Sequence, residues 1–371
     1  MDLAGDPFTR VQTLAMNNLS EVPTQYIQPP ENRPQNPAYS DSTGHKHVSS
    51  ASVPVIDLFE FDPQHLKSGQ VRQEIQRVCA EWGAFQVINH CIPTHLLDDM
   101  RRVGLSFFKD CPMSEKCKYA CDPNSTASEG YGSRMLVADN GGRKNEARFV
   151  LDWRDYFDHH TLPLSRRNPS RWPCFPPNYA EVVAQYSDCA KSLAQKLLGL
   201  VSESLGLPPS CIEDAVGEFY QNITVSYYPP CVQPELTLGL QAHSDMGAIT
   251  LLIQDDVGGL QVFKDADWVT VQPLPHAIVV ILADQTEIIT NGVYRSAVHR
   301  AITNNSRARL SIATFHDPAK TMKISPASKL VSKHSRPHYR EVVYGDYVSS
   351  WYTKGPEGKR NIDALLIEPS D

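Results

Sequence analysis

Residues 238–253, Leu-Gly-Leu-Gln-Ala-His-Ser-Asp-Met-Gly-Ala-Ile-Thr-Leu-Leu-Ile, read as a strand, a short turn and a second strand. Side chains two apart on an extended strand share a face, so the spacing predicts that His243 and Asp245 point the same way and Ser244 away. The stretch belongs to a longer β-rich block. From 223 to 316, short β-branched and aromatic runs alternate with Pro, Gly, Asn and Asp, the texture of a sandwich or barrel. Candidate strands fall near 223–228, 241–245, 248–253, 259–263, 267–271, 277–281, 293–300 and 309–315. Eight strands suit a jelly roll.

Upstream of this block the apolar period is helical. The spacing predicts helices over 71–82, over 94–108 with Thr94 as N-cap, and over 178–205 between Pro176-Pro177 and Pro208-Pro209. Short strands are expected at 53–58, 84–89 and 151–157, and a last helix at 342–352 before a tail. Within 11–26 a short helix and turn precede a polar, Pro-rich stretch. The class is α+β: a jelly roll backed by N-terminal helices and a C-terminal helix. The chain divides into an extension (1–52), a helical part that packs on the sheet (53–210), the roll (211–330) and a C-terminal helix and tail (331–371). One domain is expected, because the apolar helix faces need the sheet to cover them.

Composition excludes several classes. The 371 residues carry a net charge of −7, which gives no reason to expect nucleic acid or an anionic membrane as partner. No apolar run is long enough to span a bilayer, and the N-terminus lacks the basic and apolar regions of a secretory signal. The nine cysteines are scattered, and no second pair answers Cys117 and Cys121. That suits free thiols in a reducing compartment rather than a zinc site. A cytoplasmic monomer is the expectation.

The chemistry sits in the β block. His243 and Asp245, completed by His299 from another strand, make the two-His, one-carboxylate set that holds non-haem Fe(II) and leaves three positions open. Arg309 and Ser311 share a strand face and offer a guanidinium fork and a hydroxyl to a small carboxylate. The run Tyr227-Tyr228-Pro229 offers a phenol to the same acid.

These residues, together with Val-Pro-Val-Ile-Asp-Leu from 53, Trp-Gly-Ala-Phe-Gln-Val-Ile-Asn-His from 82, Tyr-Tyr-Pro-Pro-Cys from 227 and Ala-Asp-Gln-Thr-Glu-Ile-Ile-Thr-Asn-Gly from 283, carry a resemblance. The chain, from about 53 to 358, resembles the plant 2-oxoglutarate and Fe(II)-dependent dioxygenases. That branch includes anthocyanidin synthase, flavonol synthase, flavone synthase I and the jasmonate-induced oxygenases. The resemblance implies a double-stranded β-helix, iron on His243, Asp245 and His299, and 2-oxoglutarate on Arg309, Ser311 and Tyr228. It also implies oxidation of that cosubstrate to succinate and CO₂, with O₂ consumed and ascorbate as reductant. A non-catalytic binding protein on the same roll is the contrasting class, and iron-dependent succinate release separates the two. The chain departs from the usual pattern at Ser226 (Asn in relatives), Cys91 and Ala283 (both Gly), and by a longer segment at 137–148.

For the substrate, alternation places Phe315 and Asp317 on the face of Arg309 and Ser311. Both types, and Tyr156, match flavonoid-contacting positions of anthocyanidin synthase, whereas its Lys and second aromatic fall on Thr224 and Asp158. The three arginines that fix the hormone in jasmonate-induced oxygenases fall on Thr224, Val348 and Tyr352. A buried carboxylate without a partner is costly, so the expectation is a neutral aromatic metabolite held by Phe315, Asp317, Tyr156 and Tyr352. A flavanone that is desaturated or hydroxylated is the leading case. Hydroxylation or O-demethylation of a hormone, phenolic, terpenoid or alkaloid is the alternative.

Overall fold

A strand forms at each of the eight expected places, and the eight divide four and four between two facing sheets. The computed structural model describes residues 10–17, 19–34, 52–60, 68–121, 129–132, 150–331, 336–354 and 360–368. Four strands precede the block: β1 (Val55–Asp57), β2 (Ala84–Ile88), β3 (Gly130–Gly132) and β4 (Asp155–His160). The block itself is β5 (Tyr220–Tyr228), β6 (Leu240–His243), β7 (Ile249–Gln254), β8 (Leu260–Lys264), β9 (Asp267–Thr270), β10 (Ile278–Leu282), β11 (His299–Ala301) and β12 (Arg309–Asp317). The large sheet runs β1-β2-β10-β7-β12-β5-β4-β3 and the small one β6-β11-β8-β9. Apart from the parallel β1/β2 pair, every pairing in the two sheets is antiparallel. This is the jelly-roll architecture, with the large sheet widened by strands from before residue 211.

The two faces of the large sheet have separate cores, and the alternation along each strand assigns its residues to one or the other. On β12, Leu310 and Ile312 join Val225, Leu251 and Val280 against the helices. These helices are α1 (Val11–Met16), α2 (Ser68–Glu81), α3 (Thr94–Lys109), α4 (Met113–Lys116) and α5 (Tyr179–Ser204). Of these, α2, α3 and α5 supply the cover, through Ile75, Met100, Phe107, Val183 and Leu197 among others. Burying each such side chain stabilises the fold by about 1.5–3 kcal/mol. The opposite face closes on the small sheet, where Leu252, Val279 and Ile281 meet Leu260, Val262 and Val269. Three further helices follow: α6 (Cys211–Val216), α7 (Asp284–Ile289) and α8 (Tyr344–Lys354), then the short α9 (Arg360–Asp363). Among the described residues, no helix is long and apolar enough to cross a membrane.

Several local expectations are corrected. Thr94 is the first helical residue of α3, and Pro93, with no side-chain oxygen to offer, stands at the cap. Of the strand expected over 293–300 only its end forms. The chain before it folds over the end of α2, where Arg295 N donates to Cys79 O and Ala297 N to Leu282 O. Gly83 permits this, since at φ +66° the Arg295 carbonyl occupies the place of a Cβ. The C-terminal helix starts at Tyr344, after Val342–Val343 pairs with Lys323–Ile324, and the tail contains α9. The 137–148 segment lies outside the described residues.

Candidate active site

Pairing of β6 with β11 sets His243 opposite His299, with ring centroids 4.3 Å apart. Asp245 does not continue the strand, as its alternation with His243 suggests; β6 ends at His243. Two contacts hold Asp245 in place instead. Asp284 N donates to its backbone carbonyl at 2.9 Å, and Thr250 Oγ1 donates to its Oδ2 at 2.6 Å. The free oxygen, Oδ1, lies 3.5 Å from His243 Nε2 and 3.8 Å from His299 Nε2. Ligating atoms of the three residues all fall within 4.8 Å of one another, the only such His/Cys/Asp/Glu group among the described residues. All nine cysteines are free.

Each imidazole is turned so that Nε2 faces this point. His243 Nδ1 donates to Gln241 O at 2.8 Å and His299 Nδ1 to Ala297 O at 3.1 Å. This outer hydrogen bond fixes ring orientation and tautomer in metal sites. Burial, helped by His243, pushes His299 down to about 4. Burial alone would raise the Asp245 carboxyl, but His299 and His243 outweigh it and hold Asp245 at about 2. Burial disfavours a proton on His243, while Asp245 outweighs burial and raises it; a divalent cation would take the place of that proton. Two imidazole nitrogens and one carboxylate oxygen on one side of a cavity fit Fe(II) with open positions.

Beside them, β12/β5 pairing sets Arg309 against Tyr228 and Ser311 against Ser226. The Arg309 guanidinium lies 4.8 Å from the Tyr228 ring centroid, and Ser311 Oγ donates to the Tyr228 hydroxyl at 3.4 Å. The ring seats against Gly239, where a Cβ would come within 2.6 Å of Tyr228 Cδ1. Arg309 is 2 % exposed, and its Nε and Nη1 find no hydrogen-bond partner among the described residues. Buried donors left unmade are costly, so a small carboxylate is the ligand this fork fits.

Iron-ligand candidates and Arg309, Ser311 and Tyr228 line one cavity, with Thr224, Leu252, Ala313 and Phe315 in its wall. Of the residues expected around the substrate, Phe315 is in that wall, and Tyr156 and Asp317 are not among those that line it. Tyr156 is buried with its ring against Gly132 and under Arg154. Asp317 sits beyond Phe315 beside Gly247 and Tyr344, its carboxyl pushed up to about 7 by burial and Asp245. Tyr352 belongs to α8, and its side chain lies outside the described residues.

The sequence reading missed three contributors. Arg154 is buried in the cavity wall; it sits two residues before Tyr156, and the β4/β5 register, not the local sequence, brings it there. Thr250 steadies Asp245, and Asp284 accepts from Ser244 Oγ at 3.2 Å and Tyr347 Oη at 2.6 Å. These links join residues 5, 40 and 63 positions apart, and no local pattern marks them.

Comparison with known proteins agrees with this geometry. A family profile described as 2OG-Fe(II) oxygenase superfamily matches residues 219–318, and one described as non-haem dioxygenase in morphine synthesis N-terminal matches 53–179. The chain is 37 % identical to jasmonate-induced oxygenase 2 of Arabidopsis thaliana, over 99 % of this chain and 95 % of that protein. It is 34 % identical to leucoanthocyanidin dioxygenase of Malus domestica, over 92 % and 94 %. Among solved structures, JOX2 in complex with 2OG, Fe and JA superposes with a TM-score of 0.85 at 36 % identity, over 98 % of this chain and 99 % of that one.

Proposed function

This chain belongs to the 2OG-Fe(II) oxygenase superfamily, and from that premise we propose that it oxidises a small plant metabolite, with His243, Asp245 and His299 as iron ligands. In the same reading Arg309, Ser311 and Tyr228 hold 2-oxoglutarate. The observation that carries this is one cavity with a three-ligand cluster and, in its wall, a buried guanidinium whose Nε and Nη1 are unpaired among the described residues. When bound, iron and 2-oxoglutarate together reduce O₂, release succinate and CO₂, and supply the oxidising power that removes a substrate hydrogen. The residues orient and exclude. Gln241 O and Ala297 O set the two rings, Thr250 leaves one Asp245 oxygen for the metal, and Leu252, Ala313 and Phe315 provide an apolar wall for the substrate.

For the substrate the proposed reading is a neutral aromatic metabolite, a flavanone or related flavonoid, with Phe315 as the aromatic contact. At the substrate end Thr224 offers no charge, and its hydroxyl is already given to Asp158 at 2.8 Å. A second reading, an acidic substrate, is favoured by the similarity to a JOX2 structure that holds JA. The test is a panel of naringenin, dihydroflavonols, jasmonic acid, salicylic acid and a methoxylated phenolic. It is run with Fe(II), 2-oxoglutarate and ascorbate and read by mass spectrometry. Consumption of a flavonoid supports the first reading. Consumption of jasmonic or salicylic acid alone replaces it with the second.

A further inference from the structure

Three arginines line the cavity: Arg309, then Arg300, which turns its guanidinium over the Trp268 ring and donates from Nε to Gln261 Oε1, and Arg154, which the proposed function leaves without a task. It stands immediately before β4 and is 9 % exposed. Nη1 donates to Ser226 Oγ at 3.2 Å, and the guanidinium lies 5.3 Å from the Tyr156 ring centroid. Among the described residues, the carboxylate within 4 Å of it is Asp152, with Nε at 3.9 Å from Oδ2, too long for a hydrogen bond. Asp152 Oδ1 is itself engaged by Gln241 N at 3.0 Å and Gln241 Nε2 at 3.2 Å. The carbonyl of the same Gln241 accepts from His243 Nδ1. Asp152 and Gln241 therefore connect Arg154 to His243, while Arg309 stands over the Tyr228 ring.

Tyr228 feels both cations. Burial would raise its phenol, yet Arg309 and Arg154 outweigh burial and lower it. Two buried guanidinium groups thus face one cavity across a phenol and two serine hydroxyls, with one imperfect carboxylate contact between Arg154 and Asp152. Uncompensated buried charge is unfavourable. The ligand that balances two such cations is a dianion.

We propose that Arg154 is a cosubstrate-binding residue: with Ser226 and Tyr228 it holds the side of the 2-oxoglutarate dianion nearer His243, while Arg309 and Ser311 hold the other. The proposal rests on the cosubstrate site proposed above. It makes Arg154 a determinant of 2-oxoglutarate affinity and not of substrate choice.

The test is calorimetric titration of 2-oxoglutarate into the Fe(II)-loaded full chain without oxygen, for wild type, Arg154→Gln, Arg154→Lys and Arg309→Gln. Loss of one charge-assisted contact should weaken 2-oxoglutarate binding about ten- to hundredfold in Arg154→Gln. Arg154→Lys, which keeps the charge and is the milder change to the fold, should lose less. If Arg309→Gln weakens binding and both Arg154 variants bind like wild type, Arg154 has no part in holding the cosubstrate and the inference is overturned alone. If Arg309→Gln also binds normally, the cosubstrate site itself is misassigned. If Arg154→Gln leaves 2-oxoglutarate affinity intact but raises the KM of an acidic substrate such as jasmonic acid, the guanidinium serves the substrate instead, and the proposal fails.

Discussion

His159 and His299 are both buried, both on strands of the two sheets, and put to opposite uses. His159 points from β4 towards the helices. Its Nδ1 meets Ile223 O at 2.8 Å and its Nε2 meets Tyr179 Oη at 3.1 Å, so both nitrogens are satisfied and burial holds it neutral, down to about 3. His299 points into the roll. One nitrogen is pinned to its own strand, and the other faces His243 and Asp245. A histidine becomes a ligand candidate when the fold satisfies one nitrogen and leaves the second facing like-minded donors. The same division runs along β12: Leu310 and Ile312 pack in the helix-side core, while Arg309, Ser311 and Phe315 line the cavity. One face stores stability and the other carries chemistry.

The sharpest break of this division is on the cavity face. His299→Ala should reduce turnover by more than about a thousandfold, since the proposed iron site loses one of its three protein ligands, while the melting temperature without metal changes little. Succinate release and thermal unfolding measured on one preparation check both halves. On the other face Ile312→Ala should cost about 2–5 kcal/mol of stability, with kcat/KM per folded molecule close to wild type. Denaturant unfolding read beside the activity assay decides it, and equal damage to both would blur the two faces into one.

Smaller effects follow. Arg309→Lys keeps the charge but loses the fork, so the KM for 2-oxoglutarate should rise by about tenfold with metal affinity unchanged. An unmoved KM would hand that carboxylate to another residue.

The helix-side face has its own acid signature. His159, and likewise His316 at about 3, stay neutral in the fold and take up protons from about pH 6.5 downward once unfolded. Between those limits the unfolded chain binds more protons, so this part of the stability is full above pH 6.5 and falls as pH drops towards 3. His159→Gln should flatten the fall of melting temperature between pH 7 and pH 4, and an unchanged slope would place the acid sensitivity elsewhere.

The legible part of this molecule was local. Alternation within single strands marked Arg309 with Ser311 and separated them from Leu310 and Ile312, and turn residues marked each strand of the block. Strand alternation brings His243 and Asp245 together for a partly different reason from the real one, because the carboxylate is returned by Thr250 and the Asp284 backbone and not by a continuing strand. What stayed hidden depends on register between distant strands. β4 pairs with β5 so that Tyr156 meets Ser226, which carries Arg154 to the serine, and nothing in Trp-Arg-Asp-Tyr states which face that strand shows the cavity. Alternation puts Asp317 on the face of Arg309 and Ser311, and the resemblance points to Tyr156, but the cavity wall includes neither.

The central claim is that His243, Asp245 and His299 form one metal site. It is tested most directly by titrating the metal-free chain with Co(II) in the presence of 2-oxoglutarate and following heat and visible absorption. The wild type should bind one equivalent, and Asp245→Ala, still folded by circular dichroism, should lose that binding. Undiminished one-equivalent binding by Asp245→Ala would contradict the account.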